Sequence, residues 1–142
     1  PNVVAEEASA TVDIRVETAE EAERVEMLVR QRTTTVPGTR IEVDGAFSRP
    51  PLERTDAVVH LYHRARGIAA RLGQELREGS TGGGSDGNFT AALGVPTLDG
   101  LGAVGGGAHA LHEHIEVEAL CWRAALLAAL VAETHADAES LG

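Results

Sequence analysis

The chain has 142 residues, 43% of them apolar, enough to build the core of one ordinary domain. Its formal charge is -10 and its twelve basic side chains are all arginines scattered along the sequence, so it lacks the clustered positive charge that binding to nucleic acid demands. The single Cys121 excludes an internal disulfide and a cysteine-based zinc cluster, and the longest apolar run, residues 124–132, is about half of the roughly 20 residues a membrane span requires. No nucleic acid and no membrane is therefore an expected partner; the location is left open by the sequence, with the cytoplasm favoured.

Residues 8–16 alternate, with Ala8, Ala10, Val12, Ile14 and Val16 on one face and Ser9, Thr11, Asp13 and Arg15 on the other, the period-2 pattern of a half-buried strand. Thr18 followed by Glu20 and Glu21 reads as a capping box. Ala22, Val25, Met27, Leu28 and Val29 then form an apolar stripe closed by Arg30 and Arg32, which predicts a helix. Pro37-Gly38 predicts a turn and residues 39–43 a second strand. Ser48-Arg49-Pro50-Pro51 breaks regular structure and sets an expected boundary between residues 1–53 and 54–142.

Over residues 55–72, Val58, Val59, Leu61, Tyr62, Ala65, Ile68, Ala69 and Leu72 predict an amphipathic helix that stops before Gly73. Residues 74–80 are expected as a strand, 82–87 as a loop, 88–93 as a short helix and 95–101 as a further strand. Residues 116–134 form the last expected helix, apolar on nearly every side except near Arg123 and its carboxylates, and so buried on more than one face. Cys121 and Trp122 are expected in the core, and residues 135–142 as a frayed tail.

Gly82-Gly83-Gly84-Ser85-Asp86-Gly87 has two readings. It is a flexible linker, or it is a structured loop in which Ser85 and Asp86 cap the next helix while bare N–H groups approach an anion or a carbonyl oxygen. It is not a nucleotide P-loop, because the Gly-Lys-Ser/Thr ending is missing. Further on, Gly107-Ala108-His109 opens a run containing His112, Glu113, His114 and Glu116, which suits either a metal or a solvated surface. His60 and His63 lie three apart on a helix face with no carboxylate at a supporting spacing and are read as surface residues. Taken singly, Arg15 reads as a salt-bridge partner and Arg49 as part of a loop surface.

In order, these segments resemble the zinc exopeptidase and aminoacylase family that includes glutamate carboxypeptidase, acetylornithine deacetylase and succinyl-diaminopimelate desuccinylase. Asn2-Val3-Val4 with Val12-Asp13-Ile14-Arg15-Val16 looks like the middle of that family's lid, or dimerisation, domain, and Ser48-Arg49-Pro50-Pro51-Leu52-Glu53 like the segment leaving it. Thr81-Gly82-Gly83-Gly84-Ser85-Asp86, Gly94-Val95-Pro96 and Gly107-Ala108-His109 look like the end of its catalytic domain. The resemblance implies an α/β fold: the carboxyl-terminal part of a zinc-exopeptidase-like catalytic domain plus a partial ferredoxin-like α+β lid.

It further implies that His109 binds one of two zinc ions, with Glu113 and Glu116 framing the ligand loop. Asn2, Arg15 and Arg49 would bind the substrate's carboxylate or reacting carbonyl oxygen, and the backbone of Gly83, Gly84 and Ser85 would line the pocket. The family's other metal ligands, its general base and its lid histidine belong to segments upstream of Pro1. The chain is thus expected to be the carboxyl-terminal portion of a di-zinc metallopeptidase or amidohydrolase, inactive alone. Its expected partners are a small peptide or N-acyl amino acid substrate, the upstream part of the same enzyme, and a second copy joined through the lid. An N-acyl-amino-acid deacylase and a non-catalytic dimerisation and carboxylate-binding module are the competing readings. The strand over residues 8–16 is expected at a sheet edge that recruits another strand.

Overall fold

Thr55 is extended and its Oγ1 accepts the N–H of Val58 at 3.3 Å, so α2 (Asp56–Arg71) begins with a side-chain cap. In the computed structural model, which describes residues 3–140, this helix supplies most of the core. Ala65, Ile68 and Ala69 recur on one face of α2 and are buried against Leu126 of α4 (Val117–Ser140). The two alanines leave room for Leu126, and Leu76, Leu98, Leu101, Trp122, Ala129 and Leu130 close around the cluster. The Tyr62 hydroxyl donates to the Leu76 carbonyl at 3.2 Å and draws the segment after α2 back onto it, while Arg71 and Glu133 pair at the far end of the helix contact.

The buried stripe of α4 is Ala119, Arg123 and Leu126, at spacings of four and three. Arg123 is 8% exposed. Its partners are carbonyl oxygens and not the carboxylates expected from sequence: Nε donates to Gly102 at 2.5 Å, Nη2 donates to Gly100, and the guanidinium lies 5.0 Å from the Trp122 ring centre. Burial lowers its pKa from the usual arginine value. Cys121 points to the exposed side of the helix, which corrects its expected core position, whereas Trp122 is half-buried. The expected frayed tail over residues 135–142 is corrected in part, because the helix runs on to Ser140, and residues 141–142 lie outside the described residues.

Helix α1 (Ala19–Arg30) starts where the cap at Thr18 predicts, with Thr18 Oγ1 accepting from Glu21 N at 3.2 Å. The capping box is only half formed. The Glu21 carboxylate turns to Arg24 and is held below the usual carboxylate range by that hydrogen bond. α1 buries no residue fully and is tied down at its ends, by Ala19 N donating to Glu53 Oε1 at 2.7 Å and Arg30 Nη2 donating to Gly45 O at 2.8 Å.

The remaining regular elements are α3 (Gly87–Ala92), β1 (Gly105–Gly106) and β2 (His114–Ile115), the two strands pairing antiparallel with Gly105 opposite Ile115 and Gly106 opposite His114. The fold is therefore mixed, helical with one small sheet. The expected strands over residues 8–16, 39–43, 74–80 and 95–101 are not formed among the described residues. A period-2 pattern marks faces that could be buried, but a strand exists only when another backbone answers its N–H and C=O groups, and none answers residues 8–16 or 40–43 here.

Candidate functional site

Two prolines at 50 and 51 remove two backbone donors, so the segment around Arg49 must be tied down through its carbonyls. Asn88, in the first turn of α3 and 8% exposed, does this: its Nδ2 donates to Pro50 O at 2.8 Å. Its Oδ1 accepts the N–H of Ser85 at 2.9 Å, and Ser85 Oγ accepts the N–H of Gly87 at 3.0 Å. Ser85 thus meets the N–H of the first residue of α3 from one position before the N-cap residue. Asp86 makes no capping bond and its side chain is fully exposed, which corrects its expected capping role.

Arg49 lies directly on Gly84. A Cβ at position 84 would stand 2.8 Å from Arg49 Cδ and 2.9 Å from its Nε, so only glycine lets the side chain lie flat there. The guanidinium sits 4.9 Å from the centre of the Phe89 ring. Its Nη1 is buried without a hydrogen-bond partner; Asp86 Oδ1 stands 3.5 Å away and does not satisfy it. Arg15 reaches the same loop from the other end, Nη1 donating to Gly82 O at 2.8 Å while Nη2 pairs with Asp13 at 2.9 Å, and Asp13 raises the arginine's pKa. The structure therefore brings together Arg15, Arg49, Gly83 and Gly84 along one broad groove of about 2750 Å³, whereas Ser85 does not line it. The glycine run is a docked loop and not a free linker. Asn2, the remaining residue expected at this site, lies outside the described residues.

His109 stands in the loop that joins β1 to β2. Gly107 and His109 both have positive φ, 68° and 67°, and His109 is the one non-glycine among the described residues to do so. Ala110 N donates to Gly107 O at 2.8 Å and Glu113 N to Ala110 O at 3.0 Å, while Glu113 Oε2 accepts the backbone N–H of His109 at 3.3 Å. Glu113 thus holds the histidine's backbone and not its ring. Glu116 contributes its main chain, donating to Val104 O at 2.8 Å and accepting from Ala119 N at the start of α4.

The ring of His112 packs on Gly107, where a Cβ would come within 2.7 Å of it, and His114 Nδ1 lies 3.1 Å from His112 O. The exposed His109 ring is left free to meet a ligand. Among the described residues no three His, Cys, Asp or Glu side chains come together as a metal-ligand set, fewer than the roughly three protein ligands a catalytic zinc takes. No hydrogen bond or ion pair among the described residues joins this loop to the Arg49 loop. His60 and His63 are exposed on α2, the latter 5.5 Å from the Tyr62 ring.

The hairpin under His109 makes a sharp test of this geometry. A Cβ on Gly105 would fall 2.0 Å from the His114 carbonyl oxygen, which is backbone and cannot swing away. Gly105→Ala is expected to open the β1–β2 pairing and release the His109 N–H from Glu113, seen as faster amide exchange at His109 and Ile115. Unchanged protection there would contradict the hairpin.

Sequence reasoning overlooked Asn88, whose only signal is a polar amide directly after a glycine-rich cap. The family model described as peptidase family M20/M25/M40 matches residues 2–133. No curated protein and no solved structure matches the chain.

Proposed function

The chain belongs to peptidase family M20/M25/M40, a family of metallopeptidases and related hydrolases, and from that premise we propose that it forms part of a zinc-dependent hydrolase. The bond cleaved is an amide or peptide bond next to a carboxylate-bearing residue, as in a glutamate carboxypeptidase. The observation that supports this reading is the buried Nη1 of Arg49, which has no hydrogen-bond partner and only a 3.5 Å ion-pair contact with the exposed Asp86. A guanidinium offers a planar fork of donors matched to a carboxylate, and a donor left unsatisfied in a buried slot gains most from an anionic acceptor. Arg15 and Asn2 extend the contact to the substrate's polar groups, and the exposed backbone of Gly83 and Gly84 flanks it.

His109 would hold one zinc through its ring, with Glu113 fixing the main chain behind it. When bound, the metal pair supplies an activated water and polarises the scissile carbonyl. The other ligands come from polypeptide outside these 142 residues. On this reading residues 1–53 belong to a ferredoxin-like lid and residues 54–142 to the α/β catalytic domain, and segments 8–16 and 39–43, which form no strand here, are where the rest of the lid and a second copy pair. Among the described residues no helix is long and apolar enough to cross a membrane.

Calorimetric titration of the chain with zinc, beside hydrolysis assays on dipeptides and N-acyl amino acids, tests this. Expected are weak zinc binding and no turnover by the chain alone, since a catalytic zinc takes about three protein ligands. Tight stoichiometric zinc, or turnover abolished by a chelator, would show that this chain holds a full ligand set and refute the sharing of ligands. In the complete enzyme, the faster of the two substrate classes separates peptidase from deacylase.

A further inference from the structure

Two bonds of one buried amide flank the carboxylate slot just proposed. Asn88 Nδ2 donates to the carbonyl of Pro50, the residue after Arg49, at 2.8 Å, and Asn88 Oδ1 accepts from the N–H of Ser85, the residue after Gly84, at 2.9 Å. Arg49 and Gly84 are the two faces in contact across the slot. The next residue along, Phe89, carries the ring over which the guanidinium lies. Only a side chain with a donor and an acceptor on the same planar group can satisfy both backbones, and Asn88 has no room for a longer one because it is 8% exposed.

We propose that Asn88 is the positioning residue of the Arg49 slot, setting the spacing between Arg49 and the glycine loop so that Nη1 faces a ligand carboxylate. The proposal rests on the reading of Arg49 as the carboxylate-binding group. Asn88 itself need not touch the substrate. Without its two bonds, Pro50 O and Ser85 N lose a buried partner, the loop is free to move off Arg49, and the guanidinium turns to water. Arg49 then reaches a carboxylate only after reordering, which weakens binding without removing the binding group.

The test uses the full chain labelled with ¹⁵N at arginine, following the Arg49 Nε–Hε signal, with N-acetylglutamate as the probe and Arg49→Gln to assign the signal. In the wild type, the probe is expected to shift that signal. In Asn88→Leu, the signal is expected to move to the position of a freely solvated arginine before any probe is added. Affinity for the probe is expected to fall about tenfold, with helical content by circular dichroism unchanged. Asn88→Asp keeps an acceptor for Ser85 and loses the donor to Pro50, so it should fall between the two; it carries the decision if Asn88→Leu loses helix. An Arg49 signal that stays in place in both variants overturns the proposal. If Asn88→Leu displaces Arg49 but the wild type ignores N-acetylglutamate, the carboxylate reading fails and the positioning of Arg49 by Asn88 stands.

Discussion

Truncating Leu126 to alanine is expected to lower the stability of the chain by about 2–5 kcal/mol, the range for removing a fully buried leucine from a packed core. Leu126 has no exposed surface and packs on Ala65, Ile68 and Ala69. The cavity cannot be refilled cheaply, because two of those three neighbours are alanines with no rotamers to offer. Among the described residues no second core compensates: α1 buries no residue fully, and its apolar Met27 and Leu28 are 57% and 42% exposed. Met27→Ala should accordingly change stability by less than about 0.5 kcal/mol. Urea unfolding of the two variants measures both. A loss below about 1 kcal/mol for Leu126→Ala would mean that the α2–α4 contact is not what holds the chain together.

The helices were legible in the sequence because their signals are local. Thr18 and Thr55 sit immediately before α1 and α2, and the apolar spacing within each helix fixes its buried face without reference to anything distant. The strands were not legible in the same way. Residues 8–16 alternate as a strand should, but alternation describes one chain's two faces, while a ladder is a relation between two chains of backbone groups separated in sequence. The one sheet that forms among the described residues is made instead by Gly105, Gly106, His114 and Ile115, where glycine permits backbones to approach too closely for any side chain. In α4 the near-uniform apolar composition hid the stripe of Ala119, Arg123 and Leu126, and with it the outward turn of Cys121.

The candidate site divides along the same line. That Arg15 and Arg49 meet the glycine loop is a long-range fact, 67 residues apart for Arg15 and Gly82, and no spacing in the sequence foretold it. The resemblance assigns Arg15, Arg49 and residues 83–85 to a substrate, through the order of several motifs, and says nothing of contacts between them. Asn88 escaped notice because an asparagine after Ser-Asp-Gly reads as one more turn residue. Only its burial, together with bonds to two separate segments, marks it out.

In the complete enzyme, His109→Ala is expected to reduce kcat/KM by more than about 100-fold, well beyond what loss of a supporting contact around a ligand does. Three histidines lie within this loop and hairpin, and their surroundings separate them. His112 covers Gly107 and His114 is bonded to the His112 carbonyl, whereas the His109 ring is exposed and uncommitted. The main chain at His109 is held at φ 67° by a turn and by Glu113, a conformation that few residues other than glycine and asparagine tolerate. Alanine there strains the backbone as well as deleting the ring, so His109→Asn is the cleaner variant: asparagine accepts the left-handed conformation and is a poor zinc ligand. Both variants should lose activity and part of the bound zinc, while His60→Ala, on the exposed side of α2, and His112→Ala change activity little. Steady-state kinetics with metal analysis of each variant decides this, and wild-type activity with full zinc in His109→Asn would remove His109 from the metal site.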